Sequence, residues 1–329
     1  MIKFDPIFSN GAILQAQKPV RVCGIGDGEL RVSLGALSIT TTAEGGRWCA
    51  EFPAQDYGTV CNITASNNES SITINDVTFG DVFLIAGQSN MQFKLHEGKL
   101  DGEIYECNDI RCFFTDRLEE NERFATRDGW VKCRKDTATH FSSIGYFVAR
   151  DLHKRDGRPI GLVACYQGAS VIQSWMSEKA LAELALDMPD GELHWDHHNP
   201  AFSKWNGTST LYNFAFSQAR NFSYKAVLWY QGESNSSECE SCFYDKMLIK
   251  MIELWRNDLC DVTLPFIVIQ IADFDSRNDA PWHRVQEAQR IAVEQIENCK
   301  LIVCKDICET DNIHPPTKHI LAQRIVENL

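Results

Sequence analysis

The stretch DVFLIAGQSNMQF, Asp81–Phe93, decides the fold. Val82–Ala86 reads as a buried strand, and it ends abruptly on Gly87, Gln88, Ser89 and Asn90. An ordinary polar turn has this look. So does a nucleophile presented at the carboxyl edge of an α/β sheet, where such proteins bind their ligands.

Downstream of residue 81 the pattern alternates between strands and helices. Apolar strands are predicted at Val82–Ala86, Ile110–Phe114, Ile160–Cys165, Ala226–Tyr230, Phe266–Ile271 and Leu301–Cys304. Between them, SSIGYFVARDLHKR places Ile144, Phe147, Val148 and Leu152 on one helical face, and YDKMLIKMIELWRND does the same with Met247, Leu248, Met251, Ile252 and Trp255. WHRVQEAQRIAVEQI repeats Val285, Ala288, Ile291, Ala292 and Ile296, and PPTKHILAQRIVENL is read as a last helix with prolines in its first turn. This alternation implies a mostly parallel sheet with helices on both faces. Upstream, short β-branched runs such as PVRVCGI, LRVSLGAL and SITINDVTF are separated by Gly and Asn/Asp turns, which suggests a small antiparallel sandwich or barrel. Two domains are therefore expected, residues 1–80 and 81–329.

The 329 residues carry 32 Lys+Arg against 45 Asp+Glu, a net charge of -13. Such an acidic chain is poorly suited to nucleic acid or an anionic membrane. MIKFDPIFSN does not read as a signal peptide, and no apolar run approaches the ~20 residues of a membrane span. The 13 cysteines, among them Cys23, Cys49, Cys61, Cys165 and Cys304, are mostly read as reduced core residues of a cytoplasmic protein. Cys239 and Cys242 form a CxxC without further ligands nearby, and are read as unremarkable thiols.

A serine at a strand end needs a base. In DICETDNIHPPTKH, Asp311 stands three residues before His314, a spacing that lets a carboxylate orient an imidazole facing Ser89. Two other strand ends offer oxyanion donors: the backbone N–H of Gly168 in GLVACYQGAS and the carboxamide of Gln231 in AVLWYQGESN. Glu233 and Asn235 are read either as pocket residues or as turn residues. Trp175 and Trp229 are read as core, with stacking on a sugar as the competing reading. HWDHH (His194–His198) is read as a polar rim rather than a metal site.

AGQSNMQF, GLVACYQGASVIQSW, VLWYQGESN and DNIHPPTKH together resemble the sequence blocks of the sialate O-acetylesterases, SGNH-type carbohydrate esterases related to acetyl xylan esterases. IFSNGAILQAQKPVRVCGIG is similar to the opening of the β domain found in bacterial members. The resemblance implies an SGNH-hydrolase, flavodoxin-like α/β/α domain preceded by a small N-terminal β-sandwich. It implies Ser89 as nucleophile, His314 as base and Asp311 as its orienting carboxylate. Ser89 N–H, Gly168 N–H and the Gln231 side chain would hold the oxyanion, with Gln231 in place of the asparagine of many SGNH hydrolases. No metal or cofactor is implied, and the substrate would be a small O-acetylated sugar, sialic acid or a xylo-oligosaccharide. The chain departs from the family pattern at Ala169, where a second glycine is expected, and at Gln286, where many members carry arginine. An α/β-hydrolase would need GxSxG, and a nucleotide-binding protein a glycine-rich phosphate loop; neither is present. A non-catalytic sugar-binding protein is the alternative from another class.

Overall fold

The computed structural model describes residues 1–118, 129–188, 191–193 and 200–329. Eight strands come first: β1 (Lys3–Phe4), β2 (Ile13–Gln15), β3 (Val20–Ile25), β4 (Glu29–Leu34), β5 (Leu37–Thr42), β6 (Arg47–Phe52), β7 (Val60–Ser66) and β8 (Ser71–Gly87). There follow α1 (Ser89–Gln92), β9 (Cys107–Phe114), β10 (Val131–Cys133), α2 (Lys135–Ala138), α3 (Ser143–Asp156), β11 (Ile160–Tyr166), α4 (Glu178–Leu186) and α5 (Thr210–Phe214). The chain closes with β12 (Ala226–Tyr230), α6 (Tyr244–Asp258), β13 (Phe266–Ile269), α7 (Ala280–Gln295), β14 (Cys299–Ile302) and α8 (His319–Glu327).

β8 organises the molecule. It is 17 residues long and runs without a break through position 80/81. Its first half pairs antiparallel with β7, and Thr78–Gly80 pairs parallel with β2. From Asp81 onward it pairs parallel with β11, and from Phe83 with β12 on its other side. Burial follows this change. The first residues are mostly exposed or partly exposed, whereas every residue from Val77 to Gly87 is buried. One strand thus serves a half-exposed antiparallel sheet and a sheet covered on both faces.

The resulting 11-stranded sheet is mixed, where a mostly parallel one was expected. The path β9-β11-β8-β12-β13-β14 is parallel, with β10 antiparallel at its edge. The N-terminal half of β8 needs partners for its own backbone groups, and β7 and β4 supply an antiparallel extension. β1, β3 and β6 form a separate three-stranded sheet. Its Val22, Trp48 and Phe52, with Leu30, Val32 and Ile63 of the neighbouring strands, join the same buried cluster as the central strands. Cys23 and Cys49, read from the sequence as reduced core residues, instead lie opposite one another across β3 and β6 and are joined as a disulfide; the other 11 cysteines form no disulfide.

Every residue of β11 and β12 is buried, so both faces of the central strands are covered. α3 packs on α8 and α6 on α7. α8 starts at His319, later than the proline signal suggested. Lys99 N–H donates to the Pro316 carbonyl at 2.9 Å and Glu309 accepts from Thr317, so this stretch is pinned as a loop. From β8 the chain goes to β9 and β11 on one side and later to β12 on the other. The carboxyl end of β8 is therefore the topological switch point, where a crevice opens.

Candidate active site

Gly87 ends β8 with φ 130, and an added Cβ would lie 2.1 Å from the Tyr230 carbonyl oxygen. Only glycine lets the strand close so tightly on β12 before the chain turns. Gln88 N–H donates to the same carbonyl at 2.9 Å, and Ser89 opens the single turn α1. Ser89 N–H has no acceptor among the described residues.

Ser89 Oγ lies 2.8 Å from Nε2 of His314, which arrives on the loop between β14 and α8. That loop is held by the His314 N–H bond to Asn312 Oδ1 (2.8 Å) and by Asn90 Nδ2, which donates to the Ile313 carbonyl at 2.9 Å. Burial, and then the Lys318 charge, push the His314 imidazole below its ordinary value of 6.5, with Glu97 pulling the other way. The ring is therefore neutral near pH 7 and free to accept a proton.

The pair sits in a cleft of about 480 Å³, lined by Gln88, Gln92, Gly168 and Glu233 among polar groups and by Phe93, Phe202, Trp205 and Ile313 among apolar ones. That volume is in the range of small-molecule sites. Glu233 is 7 % exposed; its Oε1 accepts from Asn90 Nδ2 at 2.6 Å, whereas the buried Oε2 has no partner. Burial raises its carboxyl above the ordinary value, opposed by the Asn90 bond and Lys318. Trp205 Nε1 is likewise buried without a partner.

The other expected site residues are placed differently. Asp311 is exposed, and among the described residues no hydrogen bond joins it to His314. Gly168 N–H points to Gln92 Oε1 at 2.7 Å. Gln231 is fully buried and does not line the cleft. Its Nε2 donates to Asn235 Oδ1 (2.7 Å), Ser170 O (3.0 Å) and Gln88 Oε1 (3.2 Å), and its Oε1 accepts from the Tyr244 hydroxyl (2.8 Å). The carboxamides at the cleft wall are Gln88 and Gln92, and Gln88 Oε1 also takes the N–H groups of Gly232 and Ser234. Asn235 is fully buried too, bonded to Ile172, Gln173 and Glu240 rather than facing the cleft.

Gln286, at the position of the family's arginine, is buried and bonds Ile271 O and Asp273 Oδ1. Trp175 and Trp229 are fully buried in an edge-to-face pair. The aromatics at the cleft are Phe93, just past α1, and Phe202 and Trp205, whose segment carries no periodic signal. His194–His198 lies outside the described residues. Among the described residues no group of three or more His, Cys, Asp or Glu is placed to hold a metal ion. No helix among them is long and apolar enough to cross a membrane.

A family model described as "Carbohydrate esterase, sialic acid-specific acetylesterase" matches residues 79–328. The chain belongs to this carbohydrate esterase family. The match begins inside β8, close to where that strand enters the central sheet. Sialate O-acetylesterase of Mus musculus is 24% identical over 327 residues, covering 83% of this chain and 60% of that protein. The Homo sapiens enzyme is 24% identical over 306 residues, covering 83% and 57%. The chain thus spans about 60% of the length of these curated relatives. A carbohydrate acetylesterase from Xanthomonas citri superposes with a TM-score of 0.85 at 26% identity, over 99% of this chain and 74% of that one. An Arabidopsis thaliana protein shares the fold with a TM-score of 0.54 at 21% identity, over 76% and 97%.

Proposed function

We propose that this protein is a carbohydrate O-acetylesterase that hydrolyses acetyl esters of small sugars through an acyl-enzyme. The observation that carries the reading is the 2.8 Å contact between Ser89 Oγ and His314 Nε2 in a cleft at the switch point of the sheet. Membership of a sialic acid-specific acetylesterase family supports the substrate class. In the proposed cycle Ser89 Oγ attacks the acetyl carbonyl as its proton passes to His314. The imidazolium returns that proton to the departing sugar oxygen. A water, deprotonated by His314, then releases acetate and frees Ser89.

Asp311 is assigned to orient His314, on the strength of the DNIH spacing. His314 Nδ1 has no hydrogen-bond partner among the described residues, which leaves it open to the carboxylate this assignment requires. Ser89 N–H and Gly168 N–H are assigned to the oxyanion, the second becoming available when Gln92 swings aside. Gln231 would join them only by exchanging one of its present acceptors for the oxyanion. The unpartnered Oε2 of Glu233 suits a sugar hydroxyl. The SGNH three-layer reading, with residues 1–80 as a small β-sandwich domain, accords with the parallel path around β8 and the separate sheet β1-β3-β6. The 11 cysteines that form no disulfide favour a reducing, cytoplasmic setting, which the Cys23–Cys49 disulfide opposes.

Wild type should hydrolyse p-nitrophenyl acetate, with Ser89→Ala losing ~10³-fold or more and Asp311→Asn less. Equal activity of wild type and Ser89→Ala overturns the nucleophile. Absence of turnover on any acetyl ester favours a sugar-binding protein. Acetate release from 9-O-acetyl sialic acid against acetylated xylo-oligosaccharides decides the sugar.

A further inference from the structure

An ammonium group is buried beside the Ser89–His314 pair. Lys318, immediately before α8, is 0 % exposed. Its Nζ donates to Asn90 Oδ1 at 2.7 Å and otherwise lies over the rings of Phe93 (5.3 Å) and Tyr230 (5.6 Å). No carboxylate forms an ion pair with it among the described residues; Asn90 links it to Glu233 instead. Burying a cation with so little compensation costs several kcal/mol. A core position that only needed filling would hold methionine or leucine.

Asn90 shows what the cation does. It directly follows the nucleophile, and its Nδ2 donates to the carbonyl of Ile313, which directly precedes the base. One side chain therefore ties the nucleophile turn to the histidine loop. A carboxamide can be flipped, and only its oxygen can accept from an ammonium. With Oδ1 committed to Lys318, Nδ2 has to face Ile313 and Glu233.

We infer that Lys318 is a positioning residue for the Ser89–His314 pair: it fixes the orientation of Asn90 between their two loops. After burial, its charge is the next cause holding the His314 imidazole below its ordinary value. The inference rests on reading His314 as the base. Burial pushes Lys318 down to about 8, against Cys308, Cys304, Glu233 and Glu309, so the ammonium persists at pH 7. The groups acting on His314 are Lys318 and, in the opposite sense, Glu97.

Lys318→Met removes both the charge and the bond to Asn90, whereas Lys318→Gln removes the charge and keeps a donor. Two quantities are read on the full chain: the pH dependence of kcat/KM on p-nitrophenyl acetate, and the NMR titration of the His314 imidazole, which needs no turnover. Wild type should lose activity as pH falls through a midpoint below 6.5. In both variants that midpoint and the His314 titration should move up. Plateau kcat should fall ~10-fold or more in Lys318→Met and less in Lys318→Gln, with KM little changed. Midpoints that coincide with wild type in both folded variants overturn the inference and leave Lys318 a structural residue. An inactive wild type overturns the esterase reading instead, and the His314 titration then still decides the role of Lys318.

Discussion

Ala169 has φ 52, the left-handed region that side chains with a Cβ adopt at a cost of about 1–2 kcal/mol. It follows Gly168 at the wall of the cleft, and the family resemblance led to a glycine being expected there. Alanine to glycine usually destabilises by about 0.5–1 kcal/mol. Here relief of the backbone should offset that loss, so Ala169→Gly is expected to match or exceed wild type by about 0–1 kcal/mol in urea unfolding. A loss beyond about 1 kcal/mol would show that the Ala169 methyl contributes packing that outweighs the strain. At this scale Ser89 and His314 were readable because each stands in a short polar motif beside a strand. Trp205 and Lys318 were not. A loop tryptophan and a lysine beside a helix look ordinary until the tertiary structure buries them.

The strand ends around the cleft are held by glutamines of α7. Gln289 Nε2 donates to the carbonyl of Gln231, just past β12, and its Oε1 accepts the N–H of Ile271, just past β13. Gln286 does similar work at Ile271 O. Both glutamines are buried on the helix face that the apolar periodicity of Val285, Ala288 and Ala292 marks as inward. The period located the face but not these polar residues within it, because strand ends that leave the ladder present backbone groups that only a long amide can reach. Gln289→Ala strands the buried Ile271 N–H, while the Gln231 carbonyl keeps the Tyr244 hydroxyl at 2.9 Å, with an expected loss of about 1–3 kcal/mol in urea unfolding. Since Gln231 is joined to Glu233 through Gly232 alone, activity should fall as well. A loss under about 1 kcal/mol would mean that water or a neighbour replaces the amide.

Across the whole molecule, the loop that brings His314 to Ser89 is clamped by charge at both ends. Asp306 pairs with Arg324 of α8 at 2.7 Å, and Glu309 accepts from Lys99 at 2.9 Å and from Thr317. Burial opposes ionisation of Glu309, yet the bonds from Thr317 and Lys99 hold it down to about 2. Its folded value lies below the ordinary 4.5, so its contribution is complete above pH 4.5 and is lost as pH falls toward 2. Glu309→Gln should therefore lower Tm at pH 7 and narrow the Tm difference between pH 7 and pH 3; an unchanged difference would remove Glu309 from the acid response. Sequence alone determined the alternation of strands and helices after residue 81 and the serine and histidine blocks, because burial periodicity and short polar motifs are local properties of the chain. It could not show that β8 runs unbroken into an antiparallel sheet, since a strand keeps its alternation or loses it according to what covers each face. Nor could it bring Ser89 within 2.8 Å of His314, place Gln92 on Gly168, or bury Lys318 against Asn90. Those contacts join residues as far as 228 positions apart, and only packing around the switch point of the sheet decides them.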